Sequence, residues 1–311
     1  MGRLTQAGTS AGGGSAATVE LSGGSGRGVA GAACCKQRPG MGILRSRGEG
    51  AIELYWEEAG RGDPVVLVGG LTSTVETWGR QVPALAARQR VMTFDNRGSG
   101  RTRVPGDDGV RTPELFAGDV LALLDGLGLE RVHLVGASMG GMIVQQFAIQ
   151  WPQRLRSLTI CCSTFGGPEA VRATPEVLQA MFHGSVSGAS PEAVRGALEI
   201  LFHPASLERR RDAVDFYLGT KEARPHTGDE IARRAAGLAR FDVGDAMAKL
   251  DVPTLVLTGS HDRLIPTDNS RLLAARIPGA RLVVIEETAH VFFVERPDAV
   301  NAALLDFFAS V

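Results

Sequence analysis

Cysteine is scarce in this chain: four residues in 311, as two adjacent pairs, Cys34-Cys35 and Cys161-Cys162. Neither pair has the two-residue spacing of a zinc knuckle or a dithiol redox site, and no disulfide framework arises from them. Cys161 and Cys162 close an apolar run and read as small buried residues. A reducing, cytoplasmic setting is the expectation. Long apolar runs are also missing: nothing approaches the roughly 18 residues that a membrane-spanning helix needs, and the first residues carry no secretory apolar region. Charge of one sign is not concentrated either. The 33 Lys and Arg against 34 Asp and Glu leave a formal net charge of -1. Nothing here supports a nucleic-acid or membrane surface. Arg209-Arg210-Arg211 sits with Asp212 and Asp215 in a helical pattern and reads as a solvated helix face. His183, His203 and His226 have no carboxylate at metal-ligand spacing, so no metal is expected.

Large apolar residues are thin at the start of the chain. The first 40 residues hold 11 of the 40 glycines and show no periodicity. A segment of that kind buries too little surface to offset its ordering entropy. Residues 1–47 are therefore expected to be a disordered Gly-rich tail, with Met41-Gly-Ile-Leu-Arg leading into the first strand. Beginning the chain at Met41 should leave the fold intact.

From residue 51 the pattern is regular. Short apolar runs at 51–57, 64–68, 90–94, 131–135, 156–162, 254–258 and 281–285 alternate with helical stretches near 79–89, 113–127, 139–151, 268–277 and 297–309. Near-continuous apolar strands between helices predict an α/β fold. Its mostly parallel sheet should have about seven to eight strands, with helices on both faces. Thr112-Pro113 and Ser190-Pro191 mark helix starts. From about 166 to 250 no strand signal occurs, only helical segments at 175–183, 191–202, 206–219 and 228–240. An insertion between sheet strands belongs over the carboxyl edge, where ligands bind. The expected organisation is a core of residues 48–165 and 251–311 with a helical cap at 166–250.

One motif carries chemistry. Gly136-Ala137-Ser138-Met139-Gly140 is a G-x-S-x-G, which chance supplies in roughly one of four chains of this composition. Its context gives it weight. Arg131-Val132-His133-Leu134-Val135 is a strand before it, and Met139 to Ala148 a helix after it. Strand, sharp turn and helix is what a nucleophile elbow requires, with the hydroxyl exposed at the helix N-terminus.

On these residues the chain resembles the α/β-hydrolase superfamily from about residue 50 onward, and within it the small bacterial capped serine esterases, enol-lactonases and aromatic-polyketide methylesterases. Asp95-Asn96-Arg97-Gly98-Ser99-Gly100-Arg101 is similar to the family's loop after the fourth strand, with a structural role. Gly259-Ser260-His261-Asp262, ending in Pro266, resembles the family's acid loop. His290, after Val283-Val284-Ile285, takes the histidine position, with Ala289 where glycine is common. The resemblance implies a catalytic set of Ser138, Asp262 and His290. The hydroxyl needs a base; His290 can take and return its proton, and Asp262 can fix the imidazole. Leu71 and Met139 are the implied oxyanion-hole donors, Leu71 from a loop that has Gly69-Gly70 where His-Gly is usual. Gly70, Thr72, Trp78 and Phe182 are candidate substrate contacts. Glu169 is the fallback acid; His261 and His133 read as loop and core residues.

The expected reaction is hydrolysis of a small carboxylic ester or lactone through an acyl-serine, with no cofactor implied. Carbon–carbon bond hydrolysis of ring-cleavage products and cofactor-free perhydrolase activity are alternatives, since these classes differ mainly in pocket lining. A hydrolase-fold ligand-binding protein with little turnover is the alternative from another class. Oligomeric state is not readable.

Overall fold

The computed structural model describes residues 40–46, 51–106 and 109–311. An eight-stranded sheet runs through it in the order β1-β2-β4-β3-β5-β6-β7-β8. The strands are β1 (Gly40–Arg45), β2 (Glu53–Gly60), β3 (Pro64–Val68), β4 (Arg90–Phe94), β5 (Val132–Ala137), β6 (Leu155–Cys161), β7 (Thr254–Gly259) and β8 (Arg281–Ile285). β1 and β2 are antiparallel to their neighbours, and the other pairings are parallel.

Alternation along the strands builds two cores. Val66, Val68, Leu134, Leu158, Ile160 and Val256 face one layer. Val65, Leu67, Val135, Leu255, Leu257 and Ile285 face the other. The helices are α1 (Val82–Leu85), α2 (Pro113–Gly126), α3 (Met139–Gln150), α4 (Pro175–Ser185), α5 (Pro191–Leu201), α6 (Pro204–Arg209), α7 (Arg211–Ala223), α8 (Gly228–Leu238), α9 (Gly244–Met247), α10 (Thr267–Arg276), α11 (Phe292–Glu295) and α12 (Pro297–Phe308). α2, α3 and α10 cover the first core, α1 and α12 the second. The Thr112 and Ser190 hydroxyls accept from the Leu115 and Ala193 amides, so both expected helix starts are capped. No helix among the described residues is long and apolar enough to cross a membrane.

Three expectations are corrected. The tail does not extend to residue 47, because Gly40–Arg45 pairs in register with β2 from Gly40↔Glu58 to Arg45↔Glu53. Leu44 is buried there, and an edge ladder satisfies backbone groups that composition averaged over 47 residues concealed. Residues 1–39 and 47, with Cys34 and Cys35, lie outside the described residues. The helix expected at 206–219 is two, broken at Arg210 (φ -118°, ψ 56°). The stretch expected at 79–89 is only the four-residue α1, preceded by a 3-10 turn at Val75–Trp78. Elsewhere helices α4 to α9 fill the interval between β6 and β7.

Candidate active site

Ser138 stands between β5 and α3 with φ 58° and ψ -119°. A non-glycine residue in that region costs of order 1–3 kcal/mol and persists only where its surroundings hold it. Here its N–H donates to Cys161 O at 2.9 Å, and its carbonyl accepts from Gly141 N at 2.9 Å and Ser163 Oγ at 2.9 Å. The two motif glycines permit the turn. A Cβ on Gly136 would lie 2.2 Å from Gly140 O, and one on Gly140 would lie 2.2 Å from Val68 O.

His290 follows β8 and Asp262 follows β7. His290 Nδ1 and Asp262 Oδ2 are 2.7 Å apart, with both side chains buried. Asp262 Oδ1 accepts from Leu264 N and Ile265 N, each at 2.9 Å. The carboxylate is therefore fully engaged, and the histidine's orientation is set by it. Cys162 Sγ also lies within 4.8 Å of ligand-type atoms of Asp262 and His290. Burial pushes the Cys162 thiol well above its usual range.

Ser138 and His290 line one cavity of about 380 Å³, together with Gly70, Leu71, Thr72, Met139 and Phe182. Met139 opens α3, so its N–H has no carbonyl within the helix to meet. The roof comes from the inserted helices, through Leu178, Met181, Leu201, Tyr217, Lys221 and Leu238. Trp78 is not in the wall. It is buried against Phe293, ring centroids 5.4 Å apart, because the 3-10 turn aims its indole into the core. Glu169 pairs with Arg276 at 2.6 Å instead of approaching His290. His261 bonds Ser260 Oγ at 2.7 Å, and His133 is buried against Ser157 Oγ at 2.8 Å. His183 is exposed and His226 buried. Asp95 accepts from the Val75 and Arg101 amides, and Arg97 forks onto Asp119, so that loop is structural.

Comparison with known proteins decides the family. The model of the alpha/beta hydrolase fold matches residues 63–297. The chain belongs to the α/β-hydrolase fold family. Among relatives of this hydrolase, a protein named as a carbamate hydrolase, RutD, from Azorhizobium caulinodans is 34% identical over 263 residues, 83% of this chain and 96% of that one. A thermophilic esterase from Thermogutta terrifontis superposes with a TM-score of 0.74 at 27% identity, covering 88% of this chain and 99% of its own. The enol-lactonase of Burkholderia xenovorans LB400 superposes with a TM-score of 0.70 at 26% identity, covering 83% and 97%.

Three residues near the site escaped the sequence reading. Glu295 is buried and accepts from Ala289 N at 2.7 Å and His203 N at 2.9 Å, tying the His290 loop to the inserted helices. Burial raises its carboxyl above the usual range, against the pull of its hydrogen bonds. Lys221 of α7 donates Nζ to Thr72 O and to Thr72 Oγ1, the latter at 3.0 Å. Arg234 of α8 is fully buried and donates to Leu71 O and Gly98 O. The last two were legible as anomalies. Lys221 falls four residues after Tyr217, and Arg234 three after Ile231, on faces that should be apolar.

Proposed function

We propose that this hydrolase cleaves a small carboxylic ester or lactone through a covalent acyl-serine. The observation that carries the reading is the shared cavity. Ser138 sits strained on its floor, and His290 reaches the same space with its other ring nitrogen already committed to Asp262.

In this reading Ser138 Oγ attacks the acyl carbon while His290 Nε2 takes its proton. The imidazolium that forms is held by Asp262 through Nδ1–H. The N–H groups of Leu71 and Met139 receive the developing oxyanion, and His290 returns the proton to the leaving oxygen. Water then attacks the acyl-serine by the same route. The mostly apolar lining suits an uncharged acyl group, and the insertion shields it from bulk water. Relatives named as an esterase and an enol-lactonase support the substrate class. Hydrolysis of a carbamate, the activity in another relative's name, would likewise take place at a carbonyl carbon.

The test is a substrate panel: short p-nitrophenyl esters, enol-lactones, aromatic methyl esters, a carbamate and a ring-cleavage product. Turnover of an ester or lactone at least ~100-fold above the Ser138→Ala background is expected. Negligible rates on those classes alongside turnover of a ring-cleavage product would move the reading to carbon–carbon hydrolysis.

A further inference from the structure

The loop that carries the Leu71 N–H has no histidine to brace it. Its carbonyls are nonetheless all engaged. Gly69 O accepts from Asn96 Nδ2 at 2.8 Å, and Gly70 O accepts from Ser73 N at 3.2 Å. Leu71 O accepts from Arg234 Nη1, and Thr72 O from Lys221 Nζ. Four consecutive carbonyls thus point at donors, which fixes the peptide planes around the Leu71 amide. The first two donors belong to the core. The last two are cations from α7 and α8, inside the insertion between β6 and β7.

These are costly donors. Arg234 is fully buried, with the Glu230 carboxylate 3.8 Å away. Lys221 is half-buried at the cavity wall, no carboxylate pairs with it among the described residues, and its Nζ lies 4.8 Å from the Tyr217 ring centroid. Burying a cation without a full counterion is strongly unfavourable unless its hydrogen bonds answer for it. Charge-assisted bonds to two successive carbonyls do that here, and they are roughly twice as strong as neutral ones.

We propose that Lys221 and Arg234 are positioning residues for the oxyanion hole, so that docking of the inserted helices assembles the donor geometry at Leu71. The inference rests on the acyl-serine reading. Neither residue touches the reacting atoms; each acts through the loop. The arrangement is sensitive to pH. Burial, with the nearby Arg234, lowers Lys221 to about 7. Four titratable groups lie together here, Lys221 itself, Arg234 from α8, His226 from the α7–α8 connection and Tyr217 from the Lys221 helix, while Glu222, Arg172 and His290 line the same cavity walls. Burial pulls Arg234 down only to about 10 and His226 to about 3, and raises Tyr217. Of the four, Lys221 alone changes charge near neutrality. Above about pH 7 a neutral amine still donates, but without charge assistance.

The experiment measures kcat and KM on p-nitrophenyl acetate, and inhibition by phenylboronic acid, which forms a tetrahedral adduct with the serine. Lys221→Met, Arg234→Gln, Arg234→Lys and the double variant Lys221→Met/Arg234→Gln are compared with wild type, each first shown folded by its melting transition. Lys221→Met should lower kcat roughly 10-fold and Arg234→Gln somewhat more, with KM within about 3-fold. Boronate affinity should fall in step with kcat. Arg234→Lys should recover part of the loss, and the double variant should lose less than the product of the singles, because both hold one loop. Wild-type kcat/KM should drop to a lower plateau as pH rises through about 7, and Lys221→Met should lack that step. A folded Lys221→Met with kcat within 2-fold of wild type and an unchanged alkaline profile would overturn the proposal. Wild type that neither turns over the ester nor binds the boronate would instead count against the acyl-serine reading.

Discussion

Asp262 Oδ2 lies 2.7 Å from His290 Nδ1, and the other oxygen of the same carboxylate holds the amides of Leu264 and Ile265. The acid is thus pinned by its own loop before it meets the histidine. Asp262→Asn keeps that shape while removing the charge that fixes the imidazole tautomer. Its kcat should fall by about 10³–10⁴ with KM little changed. A kcat within 10-fold of wild type would show that another group orients His290.

Gly70 approaches Ser138 closely. A Cβ there would lie 3.2 Å from both Ser138 Cβ and Ala137 O. Gly70→Ala should push the loop from the serine by a few tenths of an ångström, lowering kcat roughly 10-fold with little loss of stability. Gly136→Ala differs in kind, since its Cβ would meet backbone at 2.2 Å. It should cost about 3 kcal/mol in urea unfolding, or prevent folding. Equal, small effects of the two would contradict the packing described at the elbow.

Acid should destabilise the fold through two buried histidines. Burial, then the nearby Arg156, lowers His133 to about 4; burial, then Arg234 and Lys221, lowers His226 to about 3. An unfolded histidine takes its proton near pH 6.5. Between those values the unfolded chain binds the proton and the folded chain does not. Stability is therefore full above about pH 6.5 and is lost as pH falls toward 4. Thermal melts from pH 7.5 to 5 should show a shallower decline for His133→Asn than for wild type. Parallel declines would rule out His133 as a source of the acid sensitivity.

The edge strand gives a truncation test. Among the described residues, a chain beginning at Met41 loses only the Gly40↔Glu58 pairing, and its melting temperature should stay within about 1 °C of the full chain. A chain beginning at residue 47 loses β1 and the burial of Leu44, and should melt several degrees lower. Identical melting of all three would mean that β1 adds nothing to the sheet.

Much of the fold and of the site was readable in the sequence. β3 and β4 fall on the apolar runs at 64–68 and 90–94, because strands buried on both faces leave an unbroken apolar signal, and the half-buried edge strand β8 falls on the run at 281–285. Ser138 was legible because β5 and α3 flank it, whereas Asp262 and His290 were implied by the resemblance of the loops after β7 and β8 to those of the hydrolase family. β1 was hidden: an edge strand buries little, and only Leu44 of its six residues is buried. Trp78 was misplaced because spacing from the loop does not say which way a 3-10 turn aims a side chain. Lys221 and Arg234 were missed for a different reason. A charge on an apolar helix face is readable as an anomaly, but its partner, a loop some 150 residues away in sequence, is known only once the chain is folded.

Whether Ser138 is the nucleophile, activated by His290 in the cavity they share, is decided by labelling with a fluorophosphonate probe. Wild type should label stoichiometrically at Ser138, Ser138→Ala should not label, and His290→Ala should label at least ~100-fold more slowly. A folded wild type that resists the probe, or a Ser138→Ala protein that still reacts, would rule out Ser138 as the nucleophile.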